Sequence, residues 1–371
     1  MSEFKLTTVE EFEAATARLL ETGAKVGADS WQMRVKNQTP HCKFGEQGVC
    51  CRICSMGPCR ITPKAPRGIC GCDVHGIVGR NFLRFTAGGA ATHSDHGREI
   101  CITLGHAKEG GDYQVKDPEK LIRIAKEWGV ETEGKDIYDL AHEMSDLAQE
   151  EYGKIRGYSR WLKRAPQHTQ DLWHAAGIEP RAIDREVSCA LHMTHMGNTS
   201  KPEALIRQAL RNGLSDGWGG SMCGTEFSDV LFGTPKPIDT EANLGVMNAE
   251  NVNIVVHGHD PSLSEMICEY ADSKEMIDYA KSMGAKGITI SGVCCNEVAM
   301  RRGIPMAGNF LQQENVVLTG ACEAIVVDVQ CIFPALGPLS KCFHTKFITT
   351  SPICQMPDSD FIEFDAGTAG E

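Results

Sequence analysis

The chain has 371 residues, 42% of them hydrophobic and 23% charged, with a formal net charge of −12. That composition fits two or three globular domains and argues against nucleic acid as the main partner, because a phosphate backbone attracts basic surfaces. No run of about 20 apolar residues exists to span a membrane, and MSEFKLTTVEEFEAATARLL lacks the apolar centre of a signal peptide. A cytoplasmic location is expected. Reducing conditions there disfavour disulfides, so the 17 cysteines point to metal.

In chain order, residues 7–35 are expected to form a helix. Thr8 caps it, Glu10 and Glu11 favour its first turn, and Phe12, Ala15, Leu19 and Leu20 recur at helical spacing. A cysteine-rich loop follows, punctuated by Gly and Pro. GIVGRNFLRFTAGGAATHSDHGREICITLGHA then reads as one long helix, or as two broken at Gly88-Gly89. Helical patterns continue through KLIRIAKEWGV, DIYDLAHEMSDLAQEEYGKI and EALIRQALRNGL. Near Gly233 the texture changes, and GTPKPIDTEANLGV reads as a linker. Beyond it, NIVVHG, GITISGV, AIVVDVQ and FITTS alternate with helical runs, the pattern of a parallel sheet wrapped by helices. The expected fold is α+β and multidomain: an all-helical domain over 1–235 that carries the cysteine-rich loop, then a Rossmann-like α/β domain over 236–371. The tail FDAGTAGE is expected to be mobile.

CKFGEQGVCCRICSMGPCR and the following RGICGC carry Cys42, Cys50, Cys51, Cys54, Cys59 and Cys70. Zinc usually shows paired C-x-x-C knuckles, or one followed by a later His pair, and neither is present. Tight Gly/Pro loops with close cysteines suit iron–sulfur clusters better. Cys51, Cys54, Cys59 and Cys70 can furnish one four-thiolate set, with Cys72 a rival to Cys70. Cys42 and Cys50 then remain, which is half a cluster. The same pair from a second copy would complete it across a twofold axis, and this predicts a homodimer. The alternative is that both are ordinary buried thiols.

Ligands of a parallel sheet bind where strands end. His257 and His259 follow the first strand, Cys294 and Cys295 the second, and Cys331 the third. Mixed His and Cys ligation with too few ligands to close a site suits a reactive metal centre. The alternative is that the cysteines are small buried hydrophobes. Cys101, Cys189, Cys223, Cys268, Cys322, Cys342 and Cys354 sit singly and read as core thiols. His93 and His96 share a helix face and could relay protons, as could His192 and His195; the alternative, favoured on these residues alone, is a solvated or hydrogen-bonded structural role for both pairs.

These motifs, with GRNFLR, AATHSDHGR, DGWGGSM, VHGHDPSLSEM, GVCCNEVAMRRGIPMAGN and VVDVQCIFP, resemble the catalytic subunit of anaerobic nickel–iron carbon monoxide dehydrogenases over nearly the whole chain. The resemblance implies that Cys42 and Cys50 hold a 4Fe–4S cluster shared across the dimer. Cys51, Cys54, Cys59 and Cys70 would hold a second one within the subunit, with Cys70 favoured over Cys72. His259, Cys295 and Cys331 would bind a nickel–iron–sulfur cluster, with Cys294 as neighbour, and His93 and His96 would begin a proton path. The implied reaction converts CO and water to CO2, two protons and two electrons, the electrons passing to ferredoxin or a similar carrier. Acetyl-CoA synthase is a further partner candidate.

Two departures stand against the family pattern. Members are longer, with a second α/β domain that supplies further cluster ligands and a catalytic lysine and histidine. They also usually have two residues between Cys-Cys and Asn-Glu, where GVCCNEVAM has none. The alternative functions are a truncated, non-catalytic electron-transfer protein and a hydroxylamine-reducing protein like the hybrid-cluster family.

Overall fold

The computed structural model describes residues 9–196, 198–294 and 298–370. The chain divides into two compact units, Pro40–Thr234 and Met1–Thr39 with Pro235–Glu371. Among the described residues, no helix is long and apolar enough to cross a membrane.

The 40–234 unit begins with a two-stranded ribbon, β1 (Cys50–Cys51) and β2 (Cys59–Arg60), paired antiparallel so that Cys51 faces Cys59. The rest is helical, built around one 32-residue helix, Val74–Gly105. Asp73 caps it, accepting from the Gly76 N–H at 2.9 Å. It runs unbroken through Gly88 and Gly89, which face open space and so cost it only helix propensity. Helices Ile137–Gly153, Ile183–Thr194, Pro202–Ser215 and Met222–Phe232 pack around it. Trp161, Trp128 and Phe227 meet edge to face, with ring centroids 5.0–6.3 Å apart, and fill the core beside it. DGWGGS forms a π turn, Asp216–Ser221, that the periodicity did not foretell. At Gly97 a Cβ would meet the Gly220 carbonyl oxygen at 2.5 Å, so glycine lets that turn lie against the long helix.

The second unit is a six-stranded, all-parallel sheet. Its strands are β3 (Val252–His257), β4 (Ile288–Val293), β5 (Met306–Gly308), β6 (Ala324–Val327), β7 (Lys346–Thr349) and β8 (Asp360–Phe361). Their spatial order is β5-β4-β3-β6-β7-β8, the doubly wound order, with its reversal between β3 and β6. Val255, Val293, Ile325 and Val327 lie in the apolar core over which helix Gln313–Leu318 packs.

Three expectations need correction here. The single helix over 7–35 is two helices, Val9–Lys25 and Trp31–Asn37, parted at Gly27, whose φ is 75°; the expected cap Thr8 lies outside the described residues. These helices group with the sheet rather than with the cysteine-rich unit. Leu19, Leu20 and the buried Ala28 pack in the apolar core beneath the sheet, and a fully buried carboxylate, Glu314, pairs with the Arg34 guanidinium and accepts the Trp31 N–H at 2.7 Å. The tail, over its described residues 364–370, takes defined local structure. The Phe364 N–H donates to the Thr350 carbonyl at 2.9 Å, and Ala366–Thr368 forms a 3-10 turn capped by Asp365.

Gly258 leaves β3 at φ 134°, and a Cβ there would fall 1.8 Å from Asp328 Oδ1. Gly258→Ala should therefore destabilise this unit by about 3 kcal/mol or more, from backbone strain plus overpacking. Chemical denaturation of the metal-free chain measures it, and a change under about 0.5 kcal/mol, the range of a neutral surface substitution, would contradict the packing.

Candidate cluster and metal centres

Cys51, Cys54, Cys59 and Cys70 all line one pocket of about 380 Å³, open solvent included, together with Cys72, Ile69, Ile77 and Arg80. The ribbon places Cys51 and Cys59 side by side, and the start of the long helix supplies Ile77 and Arg80. Donors point at the sulfurs. The Ile69 N–H reaches Cys59 Sγ at 3.4 Å, and Arg80 Nη1 lies 3.9 Å from Cys70 Sγ. Arg80 is itself buried and anchored, its Nε donating to the Thr199 carbonyl at 2.8 Å.

Cys70 and Cys72 differ in chemistry. The Cys72 backbone N–H, and behind it Arg80, holds the Cys70 thiol below its ordinary range despite some burial. Burial pushes Cys72 upward, and its thiol donates toward the Asp73 carbonyl at 3.7 Å. Cys70 is thus the readier thiolate. Cys42 and Cys50 do not line the pocket. Cys42 is exposed ahead of the short helix Lys43–Glu46. Cys50 is half-buried in β1, its carbonyl held by Asn81 Nδ2 at 2.9 Å.

At the carboxyl edge of the sheet, ligand atoms of His259, Cys294 and Cys331 all lie within 4.8 Å of one another. They follow β3, β4 and β6, so the group straddles the point where strand order reverses. The expected Cys295 lies outside the described residues; among those described, Cys294 joins the other two. Cys294 (φ 70°), Gln330 (φ 69°) and Cys331 (φ 55°) all take left-handed backbone. Such conformations cost on the order of 1–3 kcal/mol each and persist only where surrounding contacts enforce them. His259 is buried, with Nδ1 3.3 Å from the Val329 carbonyl. A proton on Nδ1 leaves the Nε2 lone pair for a metal.

Asp328 ties these loops together. Its carboxylate accepts the N–H groups of His259 at 2.7 Å, Asp260 at 3.0 Å and Val329. Burial, with the charge of Asp260 second, pushes its pKa up to about 8 against those donors. His257 points elsewhere. It is buried, burial lowers its pKa to about 4, and its Nε2 lies 3.2 Å from Gln313 Oε1. It is a neutral structural histidine rather than part of the triad.

Both centres fit the groups expected of them. Five cysteines around a small pocket with N–H donors suit a multi-iron cluster, while two thiolates and an imidazole suit nickel or iron. In the helical unit His93 Nδ1 bonds Asp216 Oδ1 at 2.7 Å, and His96 lies one turn on, against Gly224. Of the single cysteines, Cys101, Cys223, Cys268, Cys322 and Cys354 are buried, and Cys189 and Cys342 half-buried. Sequence reasoning overlooked Arg80, Asp216, Gln313 and Asp328. Only Asp328 carried a signal, a carboxylate closing an otherwise apolar strand.

The pattern of the Prismane/CO dehydrogenase family matches residues 49–371. Over 359 residues the chain is 47% identical to carbon monoxide dehydrogenase 1 of Methanosarcina mazei, covering 95% of this chain and 57% of that one. It is 40% identical over 344 residues to the carbon monoxide dehydrogenase/acetyl-CoA synthase subunit beta of Moorella thermoacetica, covering 90% and 51%. The fold matches a nickel-free carbon monoxide dehydrogenase crystal structure from Thermococcus sp. AM4 with a TM-score of 0.92 and 47% identity, covering 95% of this chain and 57% of that one. The chain spans somewhat more than half the length of these relatives. On the family match, the identity and the shared fold together, the chain belongs to the Prismane/CO dehydrogenase family.

Proposed function

We propose that this chain carries the electron-transfer clusters and part of the active centre of an anaerobic carbon monoxide dehydrogenase, converting CO and water to CO2, two protons and two electrons. The observation that carries this reading is the convergence of His259, Cys294 and Cys331 at the sheet's switch point. In it, His259 and Cys331 with Cys294 or Cys295 contribute to a nickel–iron–sulfur cluster, and Cys51, Cys54, Cys59 and Cys70 hold a 4Fe–4S cluster. Cys42 and Cys50 share a further 4Fe–4S cluster with the same residues of a second copy. The position of both residues off the pocket lining, and the exposure of Cys42, support that reading. When bound, the metal groups supply Lewis acidity, an electron-pair sink and a route onward to a ferredoxin-type carrier.

The chain's own residues orient and neutralise. Arg80 sets a buried positive charge beside the thiolates, and Asp328 fixes the loop that presents His259. The His93 imidazole, steadied by Asp216, is suited to take up and release protons near neutral pH. The free cysteines are consistent with a cytoplasmic location. The Moorella relative's name suggests acetyl-CoA synthase as a partner class.

Three outcomes test this reading. Protein purified without oxygen should hold nickel alongside iron and reduce a viologen dye under CO. Iron without nickel, and no CO-dependent reduction, would favour an electron-transfer role alone. Cys42→Ala should lower iron content while a 4Fe–4S signal persists, whereas Cys54→Ala should lose the signal of the pocket cluster; an unchanged iron count in Cys42→Ala refutes the shared pair. The third concerns His93, whose hydrogen bond to Asp216 raises its pKa above the ordinary 6.5. The bond's stabilising contribution is full below that ordinary value and is lost as pH rises through the elevated folded value. Asp216→Asn should move the His93 proton NMR titration midpoint downward, and a midpoint that stays put shows that Asp216 does not set it.

A further inference from the structure

Gln313 begins the helix Gln313–Leu318, and its side chain is fully buried. Its amide uses every hydrogen-bonding position it has. Nε2 donates to the Phe310 carbonyl at 2.5 Å and to the Cys331 carbonyl at 2.9 Å. Oε1 accepts the Phe333 N–H at 2.7 Å and lies 3.2 Å from His257 Nε2. A backbone N–H can only donate, so the Phe333 contact fixes which end of the amide is oxygen. That in turn makes His257 Nε2 a donor. Phe333 also packs edge to face on Phe310, with centroids 6.4 Å apart.

Two of the four bonds grip the segment that presents the Cys331 thiol, one at its carbonyl and one two residues on. That segment is where Gln330 and Cys331 hold left-handed backbone without being glycine. A third bond reaches His257, the last residue of β3, two positions before His259. One side chain that offers no metal ligand thus restrains the approaches to two members of the triad.

We infer that Gln313 is a positioning residue for the metal centre: its buried amide locks the Cys331 loop in the left-handed turn that aims the thiol toward His259 and Cys294. The inference rests on reading those three residues as a metal centre. It differs from a packing role in what it predicts. Packing alone would change stability, whereas positioning changes how tightly, and in what geometry, a metal is held.

The test titrates cobalt(II) without oxygen into the metal-free full chain. Each variant is read as the difference from its own Cys331→Ser counterpart, which cancels the thiols of the N-terminal loop. The parent chain should show a Cys331-dependent thiolate-to-cobalt charge-transfer band. Gln313→Leu and Gln313→Glu should bind cobalt about 10- to 100-fold more weakly, the usual effect of losing an outer-shell partner, with shifted ligand-field bands. The glutamate variant keeps the shape and the acceptor for Phe333 but has at most one proton to donate where the amide has two, so the Phe310 and Cys331 carbonyls cannot both be held; it decides the matter if the leucine variant does not fold. In the unaltered chain the Phe333 amide should exchange slowly with deuterated solvent. Parent-like affinity and bands in a folded Gln313 variant, or free exchange at Phe333, overturn the role of Gln313 and leave the centre standing. No Cys331-dependent band in the parent chain overturns the metal centre and this inference with it.

Discussion

Asp328 sits where the sheet reverses its winding, and the placement of the loop that carries His259 depends on it. Where β3 and β6 part, each loop leaves backbone N–H groups with no strand partner. Asp328 collects three of them, from His259, Asp260 and Val329. Its carboxylate fits only because residue 258 has no side chain. A buried polar group must be paired or it costs free energy, so the carboxylate and the amides hold each other in place. The loop bearing His259 is fixed from one side by this carboxylate. The loop bearing Cys331 is fixed from another by the Gln313 amide.

The two cysteine-bearing sites are assembled by different means. The pocket in the helical unit takes its four expected thiols from one short stretch of chain, folded by a two-stranded ribbon and the first turns of one helix. Its geometry is largely local. The centre on the sheet draws His259, Cys294 and Cys331 from three separate strands. Its geometry exists only when β3, β4 and β6 lie side by side in register. The first site needs turn chemistry, and the second needs a whole sheet.

That difference explains what could be read from the residues. The loop spacing pointed to cysteines that line the pocket without choosing between Cys70 and Cys72, and the apolar runs gave β3, β4, β6 and β7, because such signals are written in neighbouring residues. The three-residue β5 and two-residue β8 are too short to leave a pattern. The spacing of Leu19 and Leu20 announced an apolar face on the first helix, but the pairing of Trp31 and Arg34 with Glu314, far along the chain, has no local pattern. Asp216 reaches His93 through a π turn, and Gln313 meets its partners through tertiary folding alone. Local chemistry was legible, and partners brought from a distance were not.

The strand order carries a consequence for assembly. Parallel strands need crossovers, and contacts between segments far apart in sequence form late and slowly, because the intervening chain must first give up its loop entropy. The thiols near the amino terminus emerge first during synthesis and are set close together. They come together once the ribbon forms, whereas His259, Cys294 and Cys331 do not converge until β6 has docked against β3. The two groups of side chains are thus assembled in order, the ribbon pocket first and the switch point last.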